Sequence, residues 1–168
     1  IRNKIELCSY LVSQTERDLS ARLIEVEERT KPDIRILDSQ TRLPLAGHTA
    51  LSSMAEIYNA ILTHKMSLVF VNTRMQAEFV FQALWKINEK ALPIALHHGS
   101  LDKEQRRKIE AAMADGRLRA IVCTATLDLG IDWGDVDLVI NVGAPKGSSR
   151  LMQRIGRSNH RFDEPSVA

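Results

Sequence analysis

Apolar and polar positions follow no single rule in the first third of the chain and a regular one afterwards. Ile5, Leu7, Cys8, Leu11 and Val12 repeat with a rough 3.6-residue period, which predicts a helix over residues 1–20. Arg22 to Glu28 alternates like a strand, Pro32 breaks it, and Ile34 to Leu37 is a second short strand candidate. Residues 38–48 (DSQTRLPLAGH) are rich in turn formers and read as a linker. From about residue 49 strands and helices alternate. A helix runs to about His64, with Ser53 and Glu56 spaced as a capping box, and Ser67 to Val71 is an apolar strand. Thr73 and Gln76 open a helix to about Asn88 that carries Val80, Leu84 and Ile87 on one face. Pro93 to His97 is a strand. Ser100 or Asp102 caps a helix that Gly116 ends, and Leu118 to Cys123 is the next strand. A short helical segment near Leu127, a strand over Asp137 to Asn141 and a helix over about 147–156 complete the series. Strands alternating with helices predict an α/β fold, a doubly wound parallel sheet with helices on both faces. The strands are nearly continuous apolar runs, as strands buried on both faces are.

Composition narrows the class without naming a function. The 168 residues are 44% hydrophobic and 26% charged, which excludes intrinsic disorder. A chain of this length buries roughly 70% of its unfolded surface and needs no metal or disulfide staple. No apolar run approaches a membrane span, and no signal peptide is visible. Cys8 and Cys123 lie far apart with no CxxC, which suggests a reducing compartment such as the cytoplasm. A net charge of +2 is too mild to prove nucleic-acid binding, so the placement of the charges must decide. The chain opens on Ile1 and stops on Pro165–Ala168, and it reads as a piece of a longer protein.

Open α/β sheets bind ligands beyond the carboxyl ends of their strands. Those ends read Asn72-Thr73-Arg74, His97-His98-Gly99-Ser100, Thr124-Ala125-Thr126 and Gly143-Ala144-Pro145-Lys146. All are polar and each precedes a helix or helical segment, whose free N–H groups and positive dipole end suit phosphate oxygens. Thr and Ser also serve simply as helix caps, and for any one residue the two readings stand side by side. Four such ends along one sheet edge favour a polyphosphate or a nucleic-acid backbone.

The last helix adds a basic stripe. Lys146, Arg150, Arg154, Arg157 and Arg161 follow one another at steps of 4, 4, 3 and 4 with no acid between. On a continuous helix they fall within an arc of roughly 80°, with Leu151, Met152 and Ile155 opposite and facing the sheet. Gly156 beside that stripe suggests close approach of a phosphate to the backbone. Other chemistries lack their residues. There is no GxxxxGK[ST] loop, no GxGxxG after a strand and no GxSxG nucleophile. His97 and His98 point different ways and have no Cys or His partner at ligand spacing, so no metal site is expected. Cys123 reads as a small buried hydrophobe, Trp85 as core or edge packing, and Trp133 as a turn residue that can stack on a base.

Together these residues resemble the second RecA-like domain of a superfamily 2 DExH-box helicase, over about residues 45–165. Leu68 to Arg74 (LVFVNTR) is similar to motif IV, and His97 to Leu101 resembles the family's HHGSL segment. Thr124 to Asp132 (TATLDLGID) resembles motif V, and Gln153 to Arg161 (QRIGRSNHR) resembles motif VI. The wording is closest to the large helicase-related group of DNA helicases. Trp133 to Asp137 and Asn159 to Pro165 resemble its bacterial, ligase-associated DExH-box branch. By that resemblance residues 1–20 are the tail of the first RecA-like domain, 21–48 the crossing, and 49–168 the second RecA-like domain.

The resemblance implies a division of labour. Mg-ATP sits between two RecA-like domains, the first of which, in the same polypeptide, supplies the phosphate loop and the acid that holds Mg²⁺. This domain supplies Arg157 as an arginine finger, a device worth roughly 10³–10⁵ in phosphoryl-transfer rate. Gly130 and Asp132 touch the nucleotide and Gln153 lines the cleft. Asn72, Thr73, Arg74, His98, Ser100, Thr124 and Lys146 face single-stranded DNA, holding it through phosphates without sequence preference. Many superfamily 2 members show QxxGRxxR; here His160 stands at the second arginine's place with Arg161 beside it, and either completes the ATP site. The implied whole is an ATP-dependent DNA helicase of DNA repair, cytoplasmic and without membrane contact, with a DNA ligase or nuclease as a further partner. The isolated piece is expected to be inactive. Two alternatives stay open: an RNA helicase domain, and a non-enzymatic doubly wound module of receiver or flavodoxin-like type. The second would need clustered acids at the strand ends, where this chain has Thr, His, Ser and Lys.

Overall fold

The computed structural model describes Cys8, Tyr10, Val12, Ala21, Leu23 and Ile24 together with residues 31–37, 50–128, 135–159 and 165–168. Most of the helix expected over 1–20, of the strand over Arg22–Glu28 and of the linker over 38–48 lies outside these residues, as does Trp133. Four parallel strands form the sheet: β1 (Ser67–Phe70), β2 (Ile94–His97), β3 (Ala120–Cys123) and β4 (Leu138–Asn141), in the order β2-β3-β1-β4. The helices are α1 (Met54–Thr63), α2 (Arg74–Lys86), α3 (Lys103–Ala114) and α4 (Ser148–Ile155). Short 3-10 turns cover Leu51–Ser53 and Ala125–Leu127.

Every strand is all or mostly apolar because both faces are covered. On one face Val69, Val71, Val122, Ile140 and Val142 meet Ile57 and Ile61 of α1 and Val80 and Leu84 of α2. On the other, Leu68, Phe70, Ile121, Cys123 and Val139 meet Met113 and Ile109 of α3 together with Leu127. Alternate strand residues thus feed two separate cores, each fully buried Val, Leu, Ile or Phe contributing roughly 1.5–3 kcal/mol. The register is in phase across the sheet: Phe70 lies beside Cys123 and Asn141, and His97 beside Cys123. All four strands therefore end at one level.

Local signals fare unequally. Thr73 caps α2, its hydroxyl accepting the Gln76 N–H at 3.2 Å, while Gln76 Oε1 accepts the Asn72 N–H at 3.2 Å. Asp102, not Ser100, caps α3 through the Glu104 N–H at 2.8 Å. Gly116 adopts φ +65° after α3, the left-handed turn that favours glycine there. The Ser53–Glu56 capping box does not form: no side-chain cap bond starts α1, because the chain enters through the 3-10 turn at Leu51–Ser53 with Ala50 left-handed. Ile34–Leu37 is not a strand either. Only Asp33 bridges, to Val167, and the pairing is short: the Asp33 N–H donates to Ser166 O (2.8 Å) and the Ala168 N–H to Asp33 O (2.9 Å). Val167 in turn accepts the Val139 N–H at 3.0 Å, so this pair flanks the outer edge of β4. Trp85 is 57% exposed and stacks on Phe81 with ring centroids 5.8 Å apart.

The basic stripe is corrected most. α4 ends at Ile155 and Gly156 is its C-cap, so Arg157 lies on the following turn and the five positions do not share one helix. Within α4, Ile155 is buried and Arg150 exposed as expected, but Arg154 is 2% exposed and Met152 53% exposed, against the expected faces. The cause is a buried carboxylate, Asp128, that the helical pattern does not reveal.

Candidate functional site

The in-phase strand ends bring four polar loops onto one edge. At the β1 end the Asn72 side-chain amide donates to Ala144 O at 3.0 Å, tying the loop after β1 to the loop after β4. Gly143 permits this approach: it has φ +81°, and a Cβ there would sit 3.3 Å from Asn72 Nδ2. Arg74, exposed at the first turn of α2, donates to Ser100 Oγ at 3.1 Å. That bond spans from the β1 end to the β2 end across β3, where half-buried Thr124 begins the 3-10 turn. The Thr124 side chain makes no cap hydrogen bond. Thr73 is a cap, whereas Ser100 and Thr124 are not, so capping accounts for one of the three hydroxyls only. Lys146 is exposed just before Gly147, which starts α4 with φ +91° and no side-chain cap. Gln153 is exposed and Arg157 half-buried beside it. Gly130, Asp132, His160 and Arg161 lie outside the described residues.

Both histidines of the β2 end are buried, and His97 is a structural anchor. His97, 2% exposed, shares hydrogen bonds with Thr126 Oγ1 (2.9 Å) and Glu110 Oε1 (3.1 Å), linking the turn after β3 to α3. Burial holds its pKa below the ordinary 6.5, outweighing the opposing pull of Glu110, a carboxylate 36% exposed to water. His98, placed on the nucleic-acid side by the sequence, is instead 3% exposed and faces Glu78 at 3.6 Å. Its burial removes it from the surface that a strand of nucleic acid would touch. Cys123 is fully buried and its thiol pushed well up by burial, so it is a core residue. No cluster of three or more His, Cys, Asp or Glu suited to a metal ion occurs among the described residues.

Sequence reasoning passed over Asp128. Its carboxylate is 3% exposed and accepts Arg154 Nε at 2.8 Å through one oxygen; Arg150 Nε lies 3.3 Å from the other. The Arg154 guanidinium also stacks over Phe70, 4.7 Å from the ring centroid, and reaches Asn141 Oδ1 at 3.5 Å. Arg154 is therefore an internal brace rather than a phosphate contact. A lone acid inside the apolar-looking run Leu127–Leu129, with arginines at four-residue spacing elsewhere, was the available signal.

A parallel four-stranded sheet with helices on both faces is the architecture of RecA-like helicase C-terminal domains. The chain belongs to that family: residues 51–162 match the helicase conserved C-terminal domain. It is 44% identical over 104 residues to ATP-dependent helicase Lhr-Core protein 2 of Thermococcus barophilus, covering 61% of this chain and 12% of that protein. Identity to ATP-dependent helicase Lhr-Core of Saccharolobus solfataricus is 33% over 162 residues, covering 92% and 18%. The solved structure of Mycobacterium smegmatis helicase Lhr bound to ssDNA and AMP-PNP is similar with a TM-score of 0.73 and 34% identity, over 83% of this chain and 19% of that one. The chain thus spans less than a fifth of the length of each relative.

Proposed function

We propose that this chain is the second RecA-like domain of an ATP-dependent DNA helicase, supplying half of the ATP site and half of the single-strand track. The observation that carries the reading is the row of Arg74, Ser100 and Thr124 across three adjacent strand ends, two of them joined at 3.1 Å. A phosphate arriving there replaces the Arg74–Ser100 bond with stronger, charge-assisted ones. Similarity to a helicase solved with ssDNA and AMP-PNP supports the choice of DNA and of ATP.

In this reading Asn72, Thr73, Arg74, Ser100, Thr124 and Lys146 hold backbone phosphates, and the uncapped start of α4 adds free N–H groups. Arg157 approaches the γ-phosphate and stabilises the charge that develops there, Gln153 lines the cleft, and Gly130 and Asp132 border the nucleotide. His160 or Arg161 completes the site. In the same reading residues 1–20 are the tail of the first RecA-like domain and 21–48 the crossing, and the first domain would hold Mg²⁺. Mg²⁺ supplies charge neutralisation on the phosphates. The same reading makes the protein a cytoplasmic, bacterial DNA-repair factor with a DNA ligase or nuclease as partner, supported by the wording of Trp133–Asp137 and Asn159–Pro165.

ATP hydrolysis by the full-length protein, measured with single-stranded DNA and with RNA, tests the reading. Stimulation by DNA and loss of turnover in Arg157→Ala are expected. Equal or greater stimulation by RNA turns the reading to an RNA helicase, and no turnover with either overturns it.

A further inference from the structure

Asp128 joins two parts of the site that the sequence keeps 26 residues apart. It follows the 3-10 turn that begins at Thr124, so its backbone belongs to the strand-end side. Its partner Arg154 belongs to α4, and the Arg154 carbonyl accepts the Arg157 N–H at 2.9 Å. One buried carboxylate therefore sits between a hydroxyl offered to nucleic acid and the arginine offered to nucleotide. Arg154 alone suffices to neutralise it; Arg150, with its side chain 48% exposed, is a second cation on the same group. Charged groups buried at this depth hold their geometry firmly, because moving either leaves an uncompensated charge. His97 fastens the same turn from the other side through Thr126, while Asp128 links it to α4.

We propose that Asp128 is a positioning residue that couples the strand-end hydroxyl of Thr124 to Arg157, so that nucleic acid bound at the strand ends sets the arginine for catalysis. The inference rests on the function proposed above. Its test measures, in the full-length protein, ATPase turnover with and without single-stranded DNA, and the DNA dissociation constant, for wild type and Asp128→Asn. The amide keeps the size and one acceptor but removes the charge that orients both arginines. The ratio of stimulated to basal kcat is expected to fall about fivefold or more, within the usual range of coupling between sites, while DNA affinity changes less than about twofold. A merely structural role lowers the folded fraction and scales both rates together, leaving the ratio unchanged, and that result overturns the inference. So does a loss of DNA affinity large enough to explain the lost stimulation. Where Asp128→Asn does not fold, the pair Asp128→Asn with Arg154→Gln removes both charges and is read by the same ratio. If wild type itself shows no DNA stimulation, the proposed function fails first and the coupling with it.

Discussion

Truncating Arg154 to Ala tests the assignment of this arginine as an internal brace. The substitution leaves Asp128, 3% exposed, without its 2.8 Å partner. Breaking a buried ion pair from one side costs about 3–5 kcal/mol. Arg150 at 3.3 Å stays close to the stranded carboxylate, which places the effect near the lower end, about 3 kcal/mol. Removing the guanidinium from Phe70, 4.7 Å from the ring centroid, adds about 1 kcal/mol. The sum, about 4 kcal/mol, is a large part of the ~5–15 kcal/mol that holds a typical domain. At about 2–4 °C per kcal/mol for a chain of this size, Tm falls by roughly 8–16 °C. Thermal unfolding of this chain followed by circular dichroism reads it directly. The double change Asp128→Leu with Arg154→Met removes both charges into similar volume and is expected to recover most of the loss. A Tm within about 2 °C of wild type for Arg154→Ala refutes the brace and returns Arg154 to the solvated stripe, where its loss would instead weaken DNA binding.

Four further outcomes are expected. In the full-length protein Arg157→Ala lowers kcat by about 10³-fold or more with little change in KM for ATP, and Arg157→Lys rescues poorly because a point charge lacks the planar fork; equal losses in melting temperature and rate per molecule would instead mark a structural arginine. Thr124→Ala and Arg74→Ala each weaken single-strand DNA binding, but only Arg74→Ala, which removes a charge, reduces the slope of log K against log salt, by about 0.7 for one neutralised phosphate, which a salt titration by fluorescence anisotropy measures. Burial lowers the His97 pKa from 6.5, so below that pH the unfolded chain binds the proton first. The contribution of neutral His97 is full above 6.5 and lost as pH falls through the folded value, so urea midpoints drop between pH 7.5 and 5.5 more in wild type than in His97→Gln. Finally, this chain purified alone is expected not to hydrolyse ATP, and turnover that Arg157→Ala abolishes would sink the two-domain reading.

The parallel sheet and its polar edge were legible because they rest on local signals. Apolar runs of strand length, the Thr73–Gln76 pair and the Gly116 turn each depend on neighbours within a few residues, and each is found in the structure. What failed depends on distant partners. Helical spacing puts Arg150 and Arg154 on one stripe and cannot register an acid at position 128 that draws Arg154 inward and holds the exposed Arg150 beside it. The family resemblance puts His98 on the nucleic-acid side, but in the structure it is 3% exposed beside Glu78 of α2. Ile34–Leu37 has strand composition, but among the described residues the backbone bonds of this segment are those of Asp33 and Arg35 with Ser166 and Ala168. Ser53 has the right spacing from Glu56, but a 3-10 entry at Leu51 sets a different approach of the chain.

The pairing of Asp33–Arg35 with Ser166–Ala168 places two segments far apart in the sequence within one hydrogen bond of each other. Chain order is then a matter of where the thread is cut. A short flexible bridge from residue 168 to residue 31, with new termini at the exposed Glu89–Ala91 connection, leaves every strand neighbour in place. The entropy of closing so short a gap is small, and loop tips of this kind accept new termini well. The architecture is in that sense circular: the same sheet, cores and strand-end row can be written out from a different first residue, on the α2–β2 connection.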